Sequence, residues 1–166
     1  MIDRIARNRF SEELRHFVGC FKDNFEFDDA VFEIKTMDVG VIEIRQNVWL
    51  TYDDLRKHKM EGAWALSPEQ LDIIKRCIVF LKSNIEYKWP KWPLYYRATR
   101  FIISLILGGK LTKTLDDRFN GGGDLAVWPF FSAEEYEYAK AHPVYLTDTH
   151  NTSLQPTSGR GAAFLG

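Results

Sequence analysis

Three side chains in this 166-residue chain are of the right types for acid–base or metal chemistry: Asp54, His58 and Glu86. Asp54 and His58 stand four positions apart, with Glu61 just beyond. On a helix that spacing puts both on one face. A carboxylate and an imidazole so placed could begin a metal site, but zinc or iron needs at least a third protein ligand. His16, His142 and His150 form no HExxH-type pair with His58. A solvated Asp–His pair explains the spacing as simply, and neither metal nor other cofactor is expected. Asp53, Asp54 and Glu86 could act as general acid and base only in a shared cleft that drives their pKa values apart. Surface carboxylates paired with neighbouring Arg and Lys are the commoner arrangement, and no residue is assigned a catalytic role.

Other chemical signals fail on context. Gly108–Lys110 ends an apolar helical pattern and lacks the upstream glycine of a phosphate loop, and the Gly121–Asp124 run reads as a turn anchored by Asp124. There is no GxSxG elbow and no CxxC pair. Arg97 and Arg100 lie among Tyr95, Tyr96 and Phe101, a mixture that binds single-stranded nucleic acid in longer strips. Here the strip is short, and arginine capping of an aromatic core explains it as well. Residues 94–113 could also lie in a membrane interface, against the simpler reading of a core helix with basic ends.

Recognition chemistry has a better claim. Pro90 and Pro93 stiffen the chain and push Trp89 and Trp92 toward extended geometry. Tyr87, Trp89 and Trp92 thus project from a backbone with little freedom, and Trp128–Pro129 repeats the step. Such aromatics either close over the end of a core or offer a low-entropy contact surface.

The element that must position them is a helix beginning at Ser67. Ser67 is a natural N-cap, Pro68 suits the first helical position, and Gln70 completes a capping box. Leu71, Ile74, Ile78, Leu81 and Ile85 form one stripe, widened by Ile73, Cys77 and Phe80. So broad an apolar arc requires more than one neighbour. Before it, a helix is predicted over Arg4–Lys22 with Phe10, Leu14, Phe17 and Phe21 on its stripe. A helical stripe at Phe27, Val31 and Ile34 follows, with Asn24 as a possible cap, and then a long helix over Asp38–Lys59. A strand hairpin over 31–46 is the alternative for this region. After the Ser67 helix and the stiff Tyr87–Pro93 segment come a helix at 94–107 and a short one at 132–141 opened by Ser132 and Glu135.

Glu86–Pro90 (EYKWP) and Gly123–Phe130 (GDLAVWPF), with the helix Trp49–Met60, resemble a group of uncharacterised bacterial proteins that share an EY-x-WP step and a later GD-x-x-VWPF step. The likeness spans about residues 44–131. That group carries no assigned activity, so the resemblance implies a helix over 39–59 and no catalytic residue.

The expected fold is therefore mainly α: one helical domain of about five helices over residues 1–146, with a tail over 147–166 docked on the same or a neighbouring chain. Net charge is −1, which argues against a global attraction to nucleic acid or membrane. Residues 23–72 carry twelve acidic and five basic side chains, and residues 75–118 ten basic and three acidic, two blocks expected to face each other. No signal-like apolar run opens the sequence, and a cytoplasmic location is the default expectation. The function expected is non-enzymatic: binding a protein partner or further copies of itself. The contact surface would comprise Tyr87, Trp89, Trp92, Arg97 and Trp128, extended by the tail near Phe164. A small-molecule pocket or enzyme site at Asp54, His58 and Glu86 is the alternative.

Overall fold

A computed structural model describes residues 1–90 and 121–144 of the chain. The elements in chain order are α1 (Arg4–Val18), α2 (Asn24–Phe32), α3 (Val39–Trp49), α4 (Pro68–Leu81) and α5 (Ala133–Ala141), with short 3-10 turns at Gly62–Trp64 and Leu125–Val127. There is no strand among the described residues, so the fold is mainly α and the hairpin alternative over 31–46 is not adopted. The predicted helix at 94–107 with Arg97, Trp92 before it, and the tail all lie outside the described residues.

Each helix starts where a side chain can satisfy its free N–H groups. Asp3 accepts from Ala6 N–H at 3.0 Å. Asp38 accepts from Gly40 N–H at 2.9 Å. Ser67 and Gln70 form the predicted capping box. The cap of α2 is Asp23, boxed with Glu26, and not Asn24. Asn24 has other work, described below.

The core is shared by two central helices. α4 packs against α1, α3 and α5, while α1 packs against α2, α3 and α4. The buried line of α4 is Ile74, Cys77, Phe80 and Leu81, with Leu71, Ile78 and Ile85 half-buried and Ile73 exposed. α1 contributes Phe10, Leu14 and Phe17, all fully buried. Gly40 lets α3 lie close against α4: a Cβ there would lie 2.7 Å from the Phe80 ring, inside contact distance.

Three helix ends fall short of the sequence expectation, each for a local reason. α1 stops at Val18 because Cys20 takes a left-handed φ of 60°, which leaves Phe21 exposed, off the stripe where it was placed. Cys20 consequently sits just past a helix, not on its face, and both Cys20 and the buried Cys77 are free thiols. α3 stops at Trp49. Thr51 hydrogen-bonds back to the Val48 carbonyl, and Asp53 and Asp54 would place negative charge against the negative end of the helix dipole. Tyr52 still reaches the core against Phe17 and Phe27, but Leu55 is exposed. α4 stops at Leu81 because two arginines of α1 take the carbonyls beyond it. Arg7 Nη1 donates to Ser83 O at 3.0 Å and Ile85 O at 2.8 Å, and Arg4 donates to Ser83 O at 2.8 Å and to Leu81 O.

Arg7 is itself fully buried, an arrangement no charge count anticipates. Its Nε donates to Asp38 at 2.6 Å, and its guanidinium carbon lies 4.7 Å from the centre of the Phe80 ring. The pair joins α1, the start of α3 and the end of α4. Arg9 likewise meets Glu33 at 2.6 Å. Within the acidic block, Asp38 and Glu33 are thus answered by arginines of α1, and Asp23 by Lys57 of the same block. Among the described residues the basic block contributes only the neighbouring Lys75–Asp72 pair to it, while Lys82 and Lys88 pair with Glu12 and Glu135.

Candidate functional site

The tryptophan–proline steps interlock. The Trp89 indole is buried, and its Nε1 donates to the carbonyls of Pro129 and Phe130, each at 3.1 Å. Gly123 lets the two segments close: a Cβ there would lie 2.9 Å from Phe131 and 3.0 Å from the Trp89 ring. Asp124 anchors the turn through Ala126 N–H at 2.9 Å. Half-buried Trp128 donates from Nε1 to the Tyr87 hydroxyl at 3.3 Å, and its carbonyl accepts from Arg76 Nε of α4 at 3.1 Å. Burial pushes the Tyr87 phenol up to about 12, so it remains a neutral hydroxyl. Trp89, with Tyr87 and Trp128 around it, therefore closes over the end of the core. Of the five residues expected to form a contact surface, Trp89 is therefore sunk and not displayed, because its indole N–H finds two carbonyls inside, while Trp92 and Arg97 lie outside the described residues.

The polar trio does not assemble either. Asp54 and His58 share no helix face, since α3 ends before both, and Asp54 is exposed. His58 is buried, stacked on Trp64 with ring centres 4.3 Å apart, and bonded through Nδ1 to the Arg56 carbonyl at 2.7 Å. A carbonyl only accepts, so Nδ1 carries the proton. His58 Nε2 is buried with no hydrogen-bond partner among the described residues. Glu86 is exposed, and its ionic partner is the amino terminus at 3.6 Å. No hydrogen bond or ion pair among the described residues joins the three, and no group of three metal-ligating side chains occurs among those residues.

His58 instead belongs to a clamp on the 50–66 loop. The fully buried Asn24 donates from Nδ2 to Asp53 O at 2.7 Å and Arg56 O at 2.9 Å, and its Oδ1 accepts from His58 N–H at 2.9 Å. Its own N–H donates to His58 O at 3.0 Å.

The concave feature with recognition chemistry lies elsewhere, between α2 and α3. It is a groove of about 270 Å³. Phe10, Phe27 and Val31 form its buried floor. The α2 wall carries Asp28 and Phe32, and the α3 side carries Arg45, Gln46, Trp49 and Tyr52. Phe32 and Trp49 are 65% and 50% exposed, so the rim presents two large aromatics to solvent above an apolar floor. The Tyr52 hydroxyl donates to Asp28, and burial together with that carboxylate raises its pKa above the ordinary tyrosine range. Arg45 forms no ion pair among the described residues.

The sequence reading did not single out this groove. Its signal was present: Phe32 falls beside the buried Phe27–Val31 line of α2, and Trp49 beside the Val41–Ile44–Val48 line of α3. Large aromatics off the buried stripe are the residues to ask about. No helix among the described residues is long and apolar enough to cross a membrane. No family model, curated protein or solved structure matches the chain.

Proposed function

We propose that this chain is a non-enzymatic, cytoplasmic protein-interaction module, and that the groove between α2 and α3 receives apolar side chains of a partner polypeptide. The single observation that carries the reading is the pair of exposed rim aromatics, Phe32 and Trp49, standing over a buried apolar floor. Aromatics exposed beside a pocket are the residues that anchor protein contacts, because they bury large areas for few frozen torsions. The groove offers orientation through Asp28, Arg45 and Gln46, and its one hydroxyl–carboxylate pair, Tyr52 with Asp28, has a phenol whose pKa is raised, which disfavours it as a nucleophile.

The test is photo-crosslinking inside cells that produce the protein, with a benzophenone side chain in place of Trp49 or, as control, of the remote exposed Tyr138. A discrete protein adduct from position 49, absent from position 138 and lost on adding Phe32→Asp, is expected. Equal or no adducts at the two positions would overturn the reading.

A further inference from the structure

We infer that the partner seated on this groove is a second copy of the chain, related by a two-fold axis; this rests on the interaction reading above. The walls carry opposite charges, Asp28 on α2 and Arg45 on α3. Among the described residues Asp28 is engaged only by the Tyr52 hydroxyl, and Arg45 has no ionic partner. A two-fold axis sets each patch against itself, so every contact between one residue and a second on the other copy is made twice. A patch with one acid, one base and an apolar strip between them is self-complementary under that operation. Asp28 of each copy faces Arg45 of the other, and the Trp49 and Phe32 rings cover the facing apolar floor.

A strongly basic or acidic partner gains nothing from walls whose charges cancel, which is why a like copy fits better than nucleic acid or a charged tail. The area sets the strength. Four aromatic rings, already about half covered, would bury roughly 450 Å² between them. A stable interface buries on the order of 1,200–2,000 Å². The rings supply only part of that, so the dimer is weak and concentration-dependent.

Sedimentation velocity on the full chain, from low micromolar to submillimolar, tests this, with circular dichroism confirming each variant's fold. The parent is expected to shift from monomer to dimer across the range. Asp28→Arg and Arg45→Asp each leave like charges facing across the axis and should remain monomeric. Their equimolar mixture should recover the dimer, because every charge then meets its opposite. Trp49→Ala, which leaves the charges and the Tyr52–Asp28 bond alone, should weaken dimerisation on the order of thirtyfold. A parent that stays monomeric throughout, or folded charge variants that dimerise like the parent or fail to rescue each other, would overturn the inference. If Asp28→Arg does not fold, an unweakened Trp49→Ala dimer overturns it alone. A position-49 crosslink to a protein other than the chain itself, with a monomeric parent, would sink the dimer while leaving the interaction reading standing.

Discussion

From a fully buried position Arg7 joins α1 to the start of α3 and to the chain just beyond α4. It gives hydrogen bonds to Asp38, Ser83 and Ile85 while lying under the Phe80 ring. Removing one member of a buried ion pair leaves the other charge uncompensated, so Arg7→Ala should cost about 3–5 kcal/mol in urea unfolding. Arg7→Lys should recover little, since one ammonium cannot serve the carboxylate and two carbonyls held by a planar fork. Burial of Asp38 opposes its ionisation, but hydrogen bonds from Arg7 and from the Asp3 and Gly40 N–H groups outweigh burial and hold the carboxyl below its ordinary value. A carboxyl depressed in the folded state contributes stability that is complete above its unfolded value, about 3.9, and is lost as pH falls through the folded value. The urea midpoint should therefore drop in acid below about pH 4. Asp38→Asn should begin lower at neutrality and fall less steeply; an equally steep acid limb would count against this account.

Between residues and the whole, the segment that decides the site's shape is the 50–66 loop. The spacing of Val41, Ile44, Val48, Tyr52 and Leu55 reads as one continuous helix, yet the chain leaves the helix at Trp49 and is caught by Asn24. That early stop leaves Trp49 on the last turn of α3, at the groove rim. Asn24→Ala strips partners from two carbonyls and one N–H, at about 1–3 kcal/mol for each group that stays buried. Hydrogen exchange should then accelerate at His58 N–H and its neighbours while α1 keeps its protection. Uniform acceleration across the molecule would mean that Asn24 supports the core and not the loop.

At the scale of the molecule, the two tryptophan–proline steps act as one closure over α4. Trp89 joins the segment after α4 to the turn before α5 by hydrogen bonds and ring contact. Trp89→Phe keeps an aromatic ring but leaves the Pro129 and Phe130 carbonyls without their donor. The expected loss of about 1–3 kcal/mol would appear as a melting temperature lower by several degrees. An unchanged melting temperature would show that ring packing alone holds the closure.

The starts of α1, α4 and α5 and the apolar lines of α1 and α4 were legible in the linear sequence, because caps and periodicity are properties of neighbours in the chain. Ser67 with Gln70, and the Phe10–Leu14–Phe17 line, required nothing distant. Where helices stop, which aromatics sink and which charges meet were decided only in three dimensions. Arg4 and Arg7 end α4 from about eighty positions away, and Trp89 goes inside because two carbonyls forty positions on accept its proton. The groove between α2 and α3 arises in the same way. Its floor, walls and rim come from three helices and the loop after α3, and no local rule brings Phe10, Asp28 and Trp49 to one place.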